Sequence, residues 1–288
     1  MRSLRFLTVL LSSLTLTACL NSTTVVKVKP DGSGTVEQTT LVNTAALKGM
    51  MGGGAQGGPN GPMMNKADLE RTAERMGKGV RLVSSEPVKG ETGFEGVKAI
   101  FAFDDINQIQ VSQGPSIHPN AQSPRVGDPG MSGSTSGSMR SNEPTSDDPV
   151  RFKLTRNGGT STLNINFVDR PGASKSVDAN VPGGVPSDMP DLANPMIMNM
   201  LKTMFQGFKI NVGLEVVGSI VKTNAEYVSG PRLTLLELDV ASLLADEAKF
   251  KALQGKLSPT ASLSEVKPYL KDIKGIKIDG PSISVEFR

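Results

Sequence analysis

Cysteine is almost missing from this chain: Cys19 is the only one in 288 residues. An intrachain disulfide is therefore excluded. With a single histidine, His118, a zinc site of the usual nitrogen and sulfur ligands is excluded as well. Tryptophan is absent and tyrosine occurs twice, whereas methionine occurs 13 times, so the core has to be built from Val, Ile, Leu and the adaptable Met. Charge of one sign is also lacking. Against 31 basic side chains stand 28 acidic ones, without a basic cluster, so there is no electrostatic footprint for nucleic acid, which is not expected as a partner.

Near the start, Arg2 and Arg5 precede an uncharged run from Phe6 to Leu16, the charged and apolar regions of a secretory signal. The run is about half of the ~20 residues needed to cross a bilayer, so a retained transmembrane anchor is not expected. Leu16-Thr17-Ala18-Cys19 resembles the lipobox of bacterial lipoproteins. The resemblance implies cleavage between Ala18 and Cys19, diacylation of the Cys19 sulfur, palmitate being one such chain, and acylation of the new amino terminus. Two acyl chains suffice for a stable anchor. An ordinary signal with a chance cysteine is the alternative.

Removing residues 1–18 would leave 288 − 18 = 270 residues with 31 − 2 = 29 basic and 28 acidic side chains. Membrane attachment then has to come from the lipid, not from charge. Leu20 follows the cysteine where an Asp would resemble an inner-membrane retention signal. In a source with two membranes this favours the outer one, with the domain in the periplasm.

Along the mature segment, Asn21 and Ser22 read as a short tether. Strands over 24–29 and 35–42 follow, joined as a hairpin through Pro30-Asp31-Gly32-Ser33-Gly34. Residues 49–62 hold seven Gly and two Pro among fourteen and read as a mobile loop. Asn65 can cap a helix to Met76, with Leu69, Ala73 and Met76 on one face and Gly77 as its stop. Strands are expected at 80–86 and 96–103, the second with Val97, Ala99, Phe101 and Phe103 on its core face.

Residues 113–149 contain eight Ser, five Gly and six Pro, too little apolar area to offset the entropy of ordering them, and read as a disordered insertion. Strands at 151–154 and 163–167 flank an Asn157-Gly158-Gly159 turn, and a second loose segment spans 170–194. Asn194 and Pro195 open an amphipathic helix with Met196, Ile197, Met200, Leu201, Met204, Phe205 and Phe208 on one side. A β-rich stretch follows, with strands over 209–222, 227–228 and 233–240 and a turn forced by Ser229-Gly230-Pro231. Ala241 to Leu253 reads as a helix closed by Gly255, and Pro268 interrupts a short one at 264–271. Ile276-Lys277-Ile278 and Ile283-Ser284-Val285-Glu286-Phe287 read as a final hairpin around Asp279-Gly280-Pro281.

The pattern predicts an α+β fold, an antiparallel sheet packed with a few helices. Its parts are a signal (1–18), the first half of the domain (19–112), the insertion (113–149), the second half (150–240), and C-terminal helices with a hairpin (241–288).

Three stretches resemble the LppM-like envelope lipoproteins: Asp31-Gly32-Ser33-Gly34; Gly93-Phe94-Glu95-Gly96-Val97 leading to Phe101-Ala102-Phe103-Asp104-Asp105-Ile106; and Val217-Gly218-Ser219-Ile220-Val221-Lys222-Thr223-Asn224-Ala225. The likeness covers residues 19–110 and 150–240. It implies the same architecture and a role in envelope lipid binding, and carries over no binding residue. The chain departs from the family in having no Trp on Leu233-Thr234-Leu235-Leu236-Glu237 and no apolar span before Arg288.

Motifs for catalysis fail on context. Gly52-Gly53-Gly54-Ala55-Gln56-Gly57 spells G-x-G-x-x-G, but Pro59 and Pro62 follow where a dinucleotide site needs a helix. Ser264-Glu265-Val266-Lys267 spells S-x-x-K without its partner motifs. Gly133-Ser134-Thr135-Ser136-Gly137 places Thr where a nucleophile elbow needs Ser. His118 lies in the insertion, and a catalytic relay needs a rigid imidazole. Asp104 and Asp105 are adjacent on a strand end and point to opposite faces, while Asp147 and Asp148 are linker.

No catalytic residue, metal or cofactor is therefore expected, a Ser/Lys or acidic hydrolase being the third choice. The first is a lipid-anchored, non-catalytic domain binding an apolar or lipid ligand, with Met196, Met200 and Met204 as candidate contacts; the alternative for this helix face, and the commoner use of one, is simply to cover the sheet. The second is a structural or assembly lipoprotein acting through envelope protein contacts.

Overall fold

The computed structural model describes residues 20–44, 65–91, 93–112, 149–167, 195–246, 248–250 and 263–288. Cys19, the glycine-rich loop at 49–62, His118 with the rest of the insertion to Asp148, and the segment 170–194 lie outside them. The fold is α+β and dominated by two sheets. β1 (Leu20–Val28) and β2 (Gly34–Asn43) form the expected hairpin, which pairs from Val28 with Gly34 to Leu20 with Val42. Pro30 sits in a turn closed by the Gly32 N–H donating to the Lys29 carbonyl at 2.9 Å, and Gly32 takes the left-handed conformation at φ 86°.

β1 is where the first correction falls. Asn21 and Ser22 are no tether: both pair within the strand, and Ser22 is buried. The strand begins at Leu20, immediately after Cys19.

Helix α1 (Lys66–Met76) forms as its sequence dictates. Asn65 Oδ1 accepts from the Asp68 N–H at 3.0 Å and the Asp68 carboxylate accepts from the Asn65 N–H at 3.4 Å, a reciprocal cap. Leu69, Thr72, Ala73 and Met76 face inward. Gly77 ends the helix for a second reason besides φ: it bridges to Ile109, and a Cβ there would lie 2.1 Å from the Gln108 carbonyl oxygen.

β3 (Arg81–Lys89) and β4 (Phe94–Phe103) are an antiparallel pair, with Val97, Ala99, Phe101 and Phe103 buried on alternate positions of β4. Pro87 is tolerated because β3 is an edge strand. A short 3₁₀ turn (Ile106–Gln108) leads to β5 (Gln110–Ser112). β6 (Pro149–Asn157) and β7 (Thr160–Phe167) follow, then α2 (Pro195–Met204).

The β-rich stretch comprises β8 (Lys209–Val216), β9 (Ile220–Thr223), β10 (Val228–Ser229) and β11 (Arg232–Asp239). α3 (Val240–Ala245), α4 (Leu263–Leu270), β12 (Ile276–Ile278) and β13 (Ser282–Phe287) complete the chain.

The larger sheet runs β10-β11-β8-β1-β2-β4-β3 with β12 paired to β11, and the smaller runs β5-β6-β7-β13-β9. Pairing is antiparallel except at its centre, where β1 and β8 are parallel. One buried apolar cluster draws on both sheets and α1, from Val26, Phe101 and Leu214 in the larger to Leu163, Ile283 and Phe287 in the smaller. Each sheet takes strands from both sides of the insertion.

Two further expectations are corrected where the chain passes between sheets. The last two strands are not a hairpin: β12 pairs with β11, whereas β13 inserts between β7 and β9. Ile276 and Ile278 bury against one sheet and Ile283, Val285 and Phe287 in the other, so each strand finds more apolar contact away from its neighbour. Likewise β8 and β9 are separated at Val217-Gly218-Ser219, where Gly218, at φ 137°, lets the Arg288 carbonyl approach so that Ser219 and Arg288 exchange backbone hydrogen bonds.

The helix expected from 241 to 253 stops at Ala245. Asp239 caps its start through the Ser242 N–H, and the Asp246 carboxylate accepts from the Lys249 N–H, opening a new turn. Gly255 lies outside the described residues. Pro268, expected as an interruption, is accommodated inside α4.

Candidate functional site

The inward face of β1 reads Leu20, Ser22, Thr24, Val26 and Val28, every second residue. Across from it on β2, Ser22 faces Thr40 and Thr24 faces Gln38. All four polar side chains are buried, Gln38 to 4% exposure, and none carries charge. On one side the belt meets Val26 and Val36 of the main core. On the other, β1 begins at Leu20, which is buried, as are Met198 of α2 and Leu244 of α3, outside the main cluster. This uncharged polar belt spans β1 and β2 only, with Ile210 and Val212 of β8 on one side and Val97 and Ala99 of β4 on the other.

Gln38 Oε1 is buried with no hydrogen-bond partner among the described residues. An amide oxygen left in this state costs about 1–3 kcal/mol, so a native protein that keeps one usually meets it with water or a ligand. The belt can accept and donate hydrogen bonds but holds no nucleophile with an adjacent base. Sequence reasoning missed it because β1 was taken to start at Thr24. The alternation from Leu20 to Val28, apolar-polar-polar-apolar-apolar on one face, was the available signal.

The candidate methionines are placed unevenly. Met196 is 79% exposed, while Met198, about half a turn round the helix from it, is buried. The side chains of Met200 and Met204 lie outside the described residues. The end of α2 is better defined: Phe205 and Phe208 pack edge to face with ring centroids 6.0 Å apart. Gly207 lies under the Phe94 ring, where a Cβ would come within 2.5 Å of Cζ. Leu41 Cδ1 and Phe94 Cβ converge on Gly90. α2 and α3 pack together, and the Val240 N–H donates to the Phe208 carbonyl at 3.2 Å.

The remaining motif residues have other tasks. Asp104 pairs with Arg81 at 3.1 Å, whereas Asp105 caps the 3₁₀ turn by accepting from the Asn107 N–H. Lys267 Nζ donates to Glu226 Oε1 at 2.5 Å, and that hydrogen bond holds the Glu226 carboxyl below its usual range. Ser264's side chain, Gly52 to Gly57, Gly133 to Gly137, Asp147 and Asp148 lie outside the described residues.

Lys27 and Glu37 form an ion pair at 2.7 Å on the outer face of the larger sheet, and the hydrogen bond to Glu37 raises the Lys27 ammonium. Asp279 is the one buried carboxylate among the described residues. Burial pushes its carboxyl up, offset by hydrogen bonds from the Gly280 and Glu226 N–H groups. No set of metal-ligating side chains gathers among the described residues.

No protein-family model and no curated protein matches the sequence. Among solved structures, the chain is similar to the folded domain of LppM from Mycobacterium tuberculosis, determined by NMR. The likeness covers 94% of this chain and 90% of that one, at 10% identity and a TM-score of 0.35. At that distance it carries no argument about function.

Proposed function

We propose that this chain is an exported envelope lipoprotein, anchored through acylated Cys19, whose domain binds an apolar or lipid ligand and catalyses nothing. The belt of Ser22, Thr24, Gln38 and Thr40 carries the reading. Within it Gln38 Oε1 is buried without a hydrogen-bond partner among the described residues, and keeping such a group is costly unless something meets it. A ligand that is mostly hydrocarbon but bears a hydroxyl or amide group matches what the belt leaves over: apolar surroundings and an acceptor at Gln38 Oε1. Localisation in the envelope, at the outer membrane where there are two, follows from the lipobox and from Leu20 after the cysteine.

Native mass spectrometry of the acylated protein, extracted in detergent with envelope lipids, tests this. Retained lipid that is lost in Gln38→Leu, with the circular dichroism spectrum unchanged, supports ligand binding. If the wild type retains none and Gln38→Leu only raises stability, the belt is a packing defect. The assembly role through protein contacts then takes the place of binding.

A further inference from the structure

We infer that the end of the larger sheet at which β1 starts is a membrane-contacting surface, seated in the headgroup layer with its apolar rim against the bilayer. This rests on the proposed acylation of Cys19. Only one peptide unit, about 3.8 Å between Cα atoms, separates that cysteine from Leu20. Leu20 is already fixed: it is 3% exposed and paired with Val42, and Asn21 next to it pairs with both Leu41 and Lys209. Headgroups occupy about 5–8 Å on each side of the hydrocarbon core. Only the thioether and glycerol of the acylated cysteine add reach between its Cα and the hydrocarbon, so the end of the sheet is held at the headgroup layer.

What the sheet presents there suits that position. Asn43, Phe94, Lys209 and Asp239 lie at the same end of the sheet as Leu20 by register. Around them Leu41, Phe94, Phe205 and Phe208 form a rim of partly exposed apolar side chains, tied together by the Phe205–Phe208 contact and by the seat of Phe94 on Gly207. Aromatic side chains with one face packed and one face free are favoured at a bilayer interface. The opposite end of β1 is different in kind, ending in Lys29, Pro30 and Asp31, all exposed. It stands about 30 Å from the anchor by strand rise. Lys209, at the contacting end, is paired with Asp239 at 3.2 Å, which lessens its own attraction to anionic lipid.

The single cysteine makes the test direct, because acylation removes the only competing thiol. Gln206→Cys, at an exposed position between Phe205 and Gly207, and Lys29→Cys, at the far end of β1, are each labelled with an environment-sensitive fluorophore in the full acylated chain. Both proteins are reconstituted in phosphatidylethanolamine/phosphatidylglycerol vesicles containing a nitroxide-labelled lipid. The expected result is several-fold stronger quenching and a blue-shifted emission at position 206, with position 29 reporting water. Equal, water-like signals at both positions in a protein that sediments with the vesicles overturn the inference while leaving the anchor intact. Failure to sediment, or absence of the acyl mass on Cys19, overturns the anchor reading itself and the inference with it.

Discussion

Two Asp-Gly turns in this molecule begin with the same letters and end in opposite environments. At Asp31-Gly32 the carboxylate is exposed and serves only its own loop, accepting from the Ser33 N–H at 2.9 Å and the Ser33 hydroxyl at 2.7 Å. Those bonds, the hydroxyl's foremost, hold its carboxyl below the usual range. At Asp279-Gly280 the side chain is 5% exposed, and burial pushes its carboxyl up. It accepts from the Gly280 N–H at 2.7 Å and from the Glu226 N–H at 3.1 Å, while its own N–H donates to the Leu235 carbonyl at 3.0 Å. Two residues on, the Pro281 carbonyl accepts from the Phe167 N–H in the smaller sheet. One turn closes a hairpin; the other hands the chain from sheet to sheet, and its carboxylate satisfies the N–H groups of two loop residues, Gly280 and Glu226.

Removing the second carboxylate should have the largest effect. Asp279→Ala strands two N–H groups inside the protein and should cost about 2–4 kcal/mol in denaturant unfolding. Asp279→Asn keeps an acceptor oxygen and removes the charge, so at neutral pH it should stay within about 1 kcal/mol of wild type. A loss as large as that of the alanine variant would mean that the charge, not the acceptor, holds the crossing.

The glycines come next. Gly32→Ala forces a side chain into φ 86° and brings it to 3.0 Å from Leu154 Cδ2, a loss of about 1–2 kcal/mol by thermal unfolding. At Gly280 the nearest atom, the Ser282 carbonyl oxygen, would be 3.8 Å from a new Cβ, and alanine there should change stability by less than about 0.5 kcal/mol.

Titration gives the smallest effects and the clearest opposition of sign. The folded state binds the Asp279 proton more tightly than the unfolded chain does. This contribution to stability is full below the unfolded value of about 3.9 and falls as pH rises through the folded one. Asp31 has a depressed value, so its contribution is present above the unfolded value and is lost as pH falls through the folded one. Unfolding midpoints measured from pH 2 to 6 should therefore tilt one way in Asp31→Asn and the other in Asp279→Asn, relative to wild type. Parallel shifts would contradict the assigned environments.

Local pattern made much of this fold legible. The β1–β2 hairpin, α1 with its cap at Asn65 and stop at Gly77, and the core face of β4 all follow from residues close together in the chain. The candidate site was less accessible. Met196 was expected on the apolar face of α2, yet it is exposed while Met198 is buried, because packing against α3, far along the chain, decides which face of a short helix is covered. The belt of Ser22, Thr24, Gln38 and Thr40 was hidden because Asn21 and Ser22 are polar, and polar residues near an expected anchor read as tether until β8 is seen pairing beside them.

The sequence by itself determined the elements with local causes: turn chemistry at Pro30-Asp31-Gly32, reciprocal capping at Asn65 and Asp68, and strict alternation from Val97 to Phe103. It also determined that Cys19 stands alone. Tertiary structure decided which strands lie side by side. β8 runs parallel to β1, β12 joins β11, and β13 enters between β7 and β9, although an Asp-Gly-Pro turn stands ready for a hairpin. The physical reason is that a turn fixes only the direction of a few residues, at about 1 kcal/mol, whereas burying each Ile, Val or Phe of β12 and β13 is worth about 1.5–3 kcal/mol and depends on partners far away in the chain.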